Sequence, residues 1–216
     1  MGYGSYNQKM ESNGILIWNA AGDPIISDRL EKYNYTTQAF DRGKNLWTDA
    51  DEMDRVQDTE REEQKRATEK LNKATASGED KVKRAKRLAR LAFEGNKFAF
   101  GELSLEILNF DRFEDWLADS EDFYAKLLGS EEWVTAMGNY GYTREQLAAE
   151  QEEIANVRKL QQDRRREMGE AQLATEEKWD KFGKLEKYCD HLREVASIEF
   201  KDEPQHLEKL GIIARS

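Results

Sequence analysis

The sequence has one cysteine and two prolines in 216 residues. A lone thiol forms no disulfide within the chain, which fits a reducing compartment and sets the expectation of a cytoplasmic protein. Two prolines exclude an all-β domain of many short strands and turns. No apolar run approaches the ~20 residues of a membrane span. The opening residues, MGYGSYNQKMESNG, have neither a basic start nor an apolar centre, so no signal peptide is expected. There is no Gly-rich phosphate loop, no G-x-S-x-G elbow and no Cys-x-x-Cys pair. Basic residues number 34 against 44 acidic ones, a net charge of −10, which disfavours a general nucleic-acid binder.

What the chain has in excess is charge. Asp, Glu, Lys and Arg make up 36% of it, and hydrophobic residues only 38%. Usual charge content is ~25%. That balance suits long helices with much wet surface.

One offset, close to half the chain, organises the sequence. In a single ungapped register, Tyr33-Asn34-Tyr35-Thr36 falls on Tyr140-Gly141-Tyr142-Thr143, and Ala67-Thr68-Glu69 falls on Ala174-Thr175-Glu176. Glu60, Glu63, Glu79, Ala89, Phe93 and Leu103 each meet an identical residue at the same shift. This is an internal duplication, with repeat 1 at about 15–105 and repeat 2 at about 122–212 of one elongated helical domain over 1–216.

In the second copy, Thr143 and Gln146 form a T-x-x-Q capping box. A heptad with a at Leu147 then places Ile154, Gln161, Met168, Thr175, Phe182, Cys189 and Ala196 at a, and Val157, Arg164, Ala171, Lys178, Leu185 and Leu192 among the d positions. The stripe is apolar at both ends and mixed in the middle, a coiled-coil-like period with a weakened centre. About 58 residues make a helix of roughly 87 Å. The first copy, Thr36 to about Phe93, repeats the pattern from Phe40 and Trp47 to Val82 and Ala89. Ser77-Gly78 is a candidate break, but the matching Lys184-Leu185 carries no such signal, so a continuous or merely kinked helix is expected. Gly78, Gly169 and Gly183 are expected at bends or close contacts.

The segment from Glu94 to Gly141 is too short, and too often punctuated by glycine, to return along a parallel partner. The expected fold is therefore all-α: two long antiparallel helices related by a pseudo-two-fold duplication. Short helices at Leu103–Leu117 and Phe123–Met137, with the segments Ile15–Tyr33 and Pro204–Ile213, would cap the ends.

Candidate sites are few. The pairs Glu60/Glu63 and Glu167/Glu170 are E-x-x-E repeats in register. Four carboxylates on antiparallel helices suggest a di-metal centre, but no histidine accompanies them, and such centres normally add Glu-x-x-His. A solvated face is the plainer reading. Asp49-Ala50-Asp51-Glu52-Met53-Asp54 with Glu60 only partly resembles a calcium loop, having Asp54 where glycine is required. His191 and Cys189 are too sparse for zinc, and Glu203-Pro204-Gln205-His206 has no partner motif. Cys189 reads as a small core residue.

Lys81 to Arg90, KVKRAKRLAR, is a basic run that suggests polyanion contact, with Lys83, Arg84 and Arg87 foremost, although pairing with carboxylates of the same chain is the simpler expectation. Trp116, Trp133 and Tyr140 are candidate contact aromatics, with filling of the core as the alternative. No catalytic, cofactor-binding or metal residue is assigned, and no cofactor is expected.

Arg193-Glu194-Val195-Ala196, continued by Phe200 to His206-Leu207 and Leu210-Gly211-Ile212 and preceded by Leu173-Ala174-Thr175-Glu176, resembles the C-terminal signature of bacterial all-α proteins with no established role. The resemblance covers the last third of the chain. It implies a duplicated helical fold and a bacterial cytosolic origin, and it transfers no catalytic residue.

The leading expectation is a non-enzymatic helical structural or interaction protein that binds a protein partner or itself. The alternatives are a carboxylate-bridged metal protein or enzyme using Glu60, Glu63, Glu167 and Glu170, and a polyanion adaptor using Lys81 to Arg90.

Overall fold

The computed structural model describes residues 5–106 and 110–213. Among these the chain is all-α, with eight helices: α1 (Tyr6–Gly22), α2 (Pro24–Glu31), α3 (Thr37–Ala92), α4 (Lys97–Glu102), α5 (Phe113–Leu128), α6 (Glu131–Gly138), α7 (Arg144–Glu199) and α8 (Pro204–Lys209). No helix is long and apolar enough to cross a membrane.

The repeat offset governs the architecture as well as the sequence. Under the shift that carries Tyr33 to Tyr140, the bounds of α2, α3 and α4 fall on those of α6, α7 and α8, and α1 falls on α5 apart from its final position. The repeated Y-x-Y-T is the turn that starts each long helix. Its second residue takes a left-handed backbone, φ 67° at Asn34 and 83° at Gly141, which explains why only Asn and Gly occupy the variable place. The expected capping box is formed: the Thr143 amide donates to the Gln146 side-chain carbonyl at 2.9 Å, and the Gln146 amide donates to Thr143 Oγ1 at 3.2 Å. The second left-handed pair, Ser104 and Gly211, closes each copy just beyond its last short helix.

Two compact units result. Unit 1 comprises Met1–Arg61 and Glu170–Ser216, and unit 2 comprises Glu62–Gly169. Each is therefore assembled from the first part of one copy and the second part of the other.

Within unit 1, α3 and α7 run antiparallel. Tyr188 donates to the Ala39 carbonyl at 2.9 Å, Lys181 pairs with Asp49 at 2.8 Å and Gln57 donates to Thr175 at 2.9 Å, so one number rises as the other falls. Leu16, Ile17, Leu30, Phe40, Leu185, Leu192 and Phe200 fill the core. Gly43 is needed there, because an added Cβ would lie 2.5 Å from the Tyr188 ring.

Unit 2 has the same antiparallel pairing, marked by the Lys81–Glu153 ion pair and the packing of Ile154 over Gly78. Its core holds Ala85, Phe93, Leu117, Phe123, Tyr124, Leu127, Met137, Leu147 and Ile154.

Helix α3 runs unbroken through Ser77-Gly78. Gly78 makes room for Trp116 and Ile154, whose atoms would lie 3.0–3.5 Å from a Cβ there. In unit 1 the equivalent trio is Leu185, Lys9 and Trp47; the large ring moves to α3 as Trp47, and the small residue beside it is Gly14 of α1, where an added Cβ would lie 3.2 Å from the ring.

Three expectations change. Gly169 and Gly183 mark neither break nor close contact; both lie in unbroken helix with nothing within 4 Å of a Cβ. Met168, assigned to the seam, is exposed. The helices expected at Leu103–Leu117 and Phe123–Met137 are displaced to α5 and α6: apolar spacing carries one helix from Phe113 to Leu128, and Gly129-Ser130 stops it and caps the next. Ile107, Leu108 and Asn109, within the first expected helix, lie outside the described residues.

Candidate functional site

The middle of each unit, where the seam is polar, is where the two copies differ most. In unit 1, Lys178 projects from α7 into the interior. Its amine donates to Gln57 Oε1 at 2.9 Å, pairs with Asp54 and stands 4.1 Å from the centre of the Tyr6 ring. Gln57 donates in turn to Thr175. Tyr6, Trp179 and Phe182 close over this network, their ring centres 4.7–5.9 Å apart. Burial, and then the charges of Asp54 and Asp51, push the Tyr6 hydroxyl up to about 12, so it stays protonated and donates to the Ala50 carbonyl. A buried ammonium needs this full set of partners.

The same positions in unit 2 are differently occupied. Leu71 stands for Lys178, Gln161 for Asp54, Arg164 for Gln57, Asn72 for Trp179, Thr75 for Phe182 and Phe113 for Tyr6. The rings of Trp179 and Phe182 have no counterparts, and a hollow of about 480 Å³ opens, lined among others by Thr75, Arg112, Phe113, Gln161, Arg164 and Arg165. Gln161 and Arg165 both bond to Glu114. Arg164 is half-buried and has no ion pair or hydrogen bond among the described residues, and Thr75 Oγ1 is buried without a partner.

The E-x-x-E pairs are divided. Glu60 and Glu170, in unit 1, bring carboxylate oxygens within 4.8 Å of one another. Glu63 and Glu167, in unit 2, line a shallow groove with Asp163 and with Arg66, Lys70 and Arg166, whose three positive charges offset the three carboxylates. Among the described residues, neither pair has a histidine or cysteine beside it. The calcium-like run lies inside α3, where Asp49 pairs with Lys181 and Asp51 with Arg55.

Most of the basic run is engaged within unit 2. Lys81 pairs with Glu153 and Lys83 with Glu79, and Arg90 donates to the Leu105 carbonyl. Lys86 is buried against Asp119 at 2.5 Å and the Ser104 carbonyl at 3.2 Å. Arg84 lies over the Tyr142 ring, and Arg87 is exposed. Cys189 is buried in unit 1, its thiol pushed up to about 12 by burial, which leaves it inert as a nucleophile. His206 is buried against Phe200 and within 3.3 Å of Glu203.

The three contact aromatics separate. Trp116 is buried in the core of unit 2. Trp133 is half-buried and Tyr140 is 43% exposed, and beside them stand Leu91 at 54% and Phe98 at 70%. They form two pairs: Phe98 lies 6.3 Å from Trp133 between ring centres, and the Tyr140 hydroxyl donates to the Leu91 carbonyl at 3.2 Å. Leu91 and Phe98 carried no signal of their own in the sequence, since each reads as one more apolar residue near a helix end.

Compared with known protein families, with curated proteins and with solved structures, the chain finds no match.

Proposed function

We propose that this is a non-enzymatic helical interaction protein, and that the occupant of its contact surface is a second copy of the same chain. The observation that carries this reading is the exposure of Leu91, Phe98 and Tyr140 in unit 2, with the half-buried Trp133 beside Phe98, although the core beneath is filled. Large apolar side chains exposed in this way mark association sites, and aromatic residues dominate their energetics. Four exposed charges neighbour the patch in the chain: Arg87, Glu94, Lys97 and Glu132, two of each sign and none in an ion pair among the described residues. A rim of mixed sign is compatible with an isologous pairing, because a surface that faces itself across a two-fold axis must complement itself, and charges of both signs can do so.

Light scattering across a concentration series tests this. A dimer that Phe98→Asp converts to monomer supports the reading; a wild-type monomer at the highest concentration contradicts it. The alternative reading, carboxylate-bridged metal binding by Glu60, Glu63, Glu167 and Glu170, draws support from the approach of Glu60 and Glu170. Elemental analysis of protein purified without chelator decides it: stoichiometric metal lost in Glu170→Gln would replace the interaction reading.

A further inference from the structure

The duplication supplies a reference for every place in the molecule, and at one place the two units do opposite things. In unit 1 the interior cation, Lys178, has a carboxylate beside it and three rings over it. In unit 2 the cation has moved across to the neighbouring long-helix position as Arg164, the carboxylate has become Gln161, and two rings have become Asn72 and Thr75. Positive charge is retained while the carboxylate at that position and two of the three covering rings are lost. A half-buried guanidinium with no acceptor is costly, and a hollow of about 480 Å³ stands in front of it.

We propose that this hollow is a binding site for a small organic phosphate. Its lining carries three guanidinium groups, Arg112, Arg164 and Arg165, against one carboxylate, Glu114, which is already bonded to Arg165 and Gln161. Arg112 also has a long, exposed ion pair to Asp115 at 3.9 Å, outside the lining, so the lining itself carries an excess of two positive charges and the wider site an excess of one, which suits a phosphate monoester. Guanidinium geometry suits paired bonds to phosphate oxygens, and the unpartnered Thr75 hydroxyl is placed to donate to the same group. Leu71 and Phe113 offer an apolar wall for the carbon portion. The site lies wholly within unit 2 and is independent of the dimer reading, so either can fail alone.

The test uses the full chain with phenyl phosphate as probe, read by calorimetric titration and by saturation-transfer NMR of the phenyl protons. Saturable binding is expected. Arg164→Gln, which installs the unit 1 residue, should weaken it about tenfold or more, the loss of one charge-assisted pair. Thr75→Phe, which restores the unit 1 ring, should abolish it, and Lys159→Gln, an exposed charge elsewhere on α7, should leave it unchanged. Inorganic phosphate should compete. Absence of saturable binding, equal weakening by Lys159→Gln, or binding of benzoate but of neither phosphate would each overturn the proposal.

Discussion

Unit 1 and unit 2 are two solutions of one pattern, and their difference lies in how each treats a polar centre. Unit 1 seals it: Lys178, Asp54, Gln57 and Thr175 bond to one another beneath Tyr6, Trp179 and Phe182. Unit 2 leaves it open around Arg164 and buries its own cation elsewhere, as Lys86 against Asp119. The equivalent of Lys86 in unit 1 is Arg193, which bonds to the neutral Asn13 and to the exposed Asp190. Shared backbone geometry thus leaves the place of buried charge free to move between copies, provided that each buried charge keeps its partners.

The largest expected effect is at that second pair. Lys86→Ala strands the half-buried Asp119 and should cost about 3–5 kcal/mol in denaturant unfolding, the range for a broken buried pair. Arg193→Ala, at the matching place, removes exposed or neutral bonds and should cost about 1 kcal/mol. Equal losses would remove the distinction drawn between the units.

Next come the glycines. Gly43→Ala drives a methyl into the Tyr188 ring, whose hydroxyl is anchored on Ala39, and should cost about 1–3 kcal/mol. Gly169→Ala and Gly183→Ala meet nothing in α7 and should stabilise by about 0.4–1 kcal/mol each. Thermal unfolding of the three single variants reads all three signs.

The units should also answer acid differently. In unit 1 hydrogen bonds from Lys32 and Arg29 hold Glu199 down to about 2, against an ordinary 4.5. Its contribution is complete above pH 4.5 and is lost as pH falls toward 2. The half-buried carboxyls of unit 2, Asp119 and Glu150, are pushed up by burial despite their bonds to Lys86 and to Tyr124. Protonation relieves that burial cost, so these two groups favour the folded state below the ordinary carboxyl range and lose that contribution as pH rises. Hydrogen exchange at pH 3 against pH 7 should therefore lose more protection at α2 and the end of α7 than at α5, and Glu199→Gln should narrow the difference.

The duplication was legible because the positions that reveal it have local duties. Y-x-Y-T is a left-handed turn entering a helix, and the Thr of A-T-E bonds Gln57 in one copy and lines the hollow in the other. The antiparallel pairing followed from the length of the connecting segment and the glycines that interrupt it. Gly78 was ambiguous, because its reason is Trp116, brought in by α5 from far along the chain. Trp116 and Trp133 read alike in sequence, yet only the first is buried, on the inward face of α5. The hollow could not be read at all: it consists of side chains missing relative to the other copy, and the comparison becomes meaningful only once both seams are known to share one backbone.

The central claim is that each unit joins the first part of one copy to the second part of the other. Zero-length carbodiimide crosslinking, which joins only lysines and carboxylates already in ion pairs, followed by peptide mass spectrometry, tests it most directly. Asp49–Lys181 and Lys81–Glu153 crosslinks are the expected products. Long-range crosslinks joining the two ends of the same long helix, with neither of those pairs recovered, would mean that each copy folds back on itself and would contradict it.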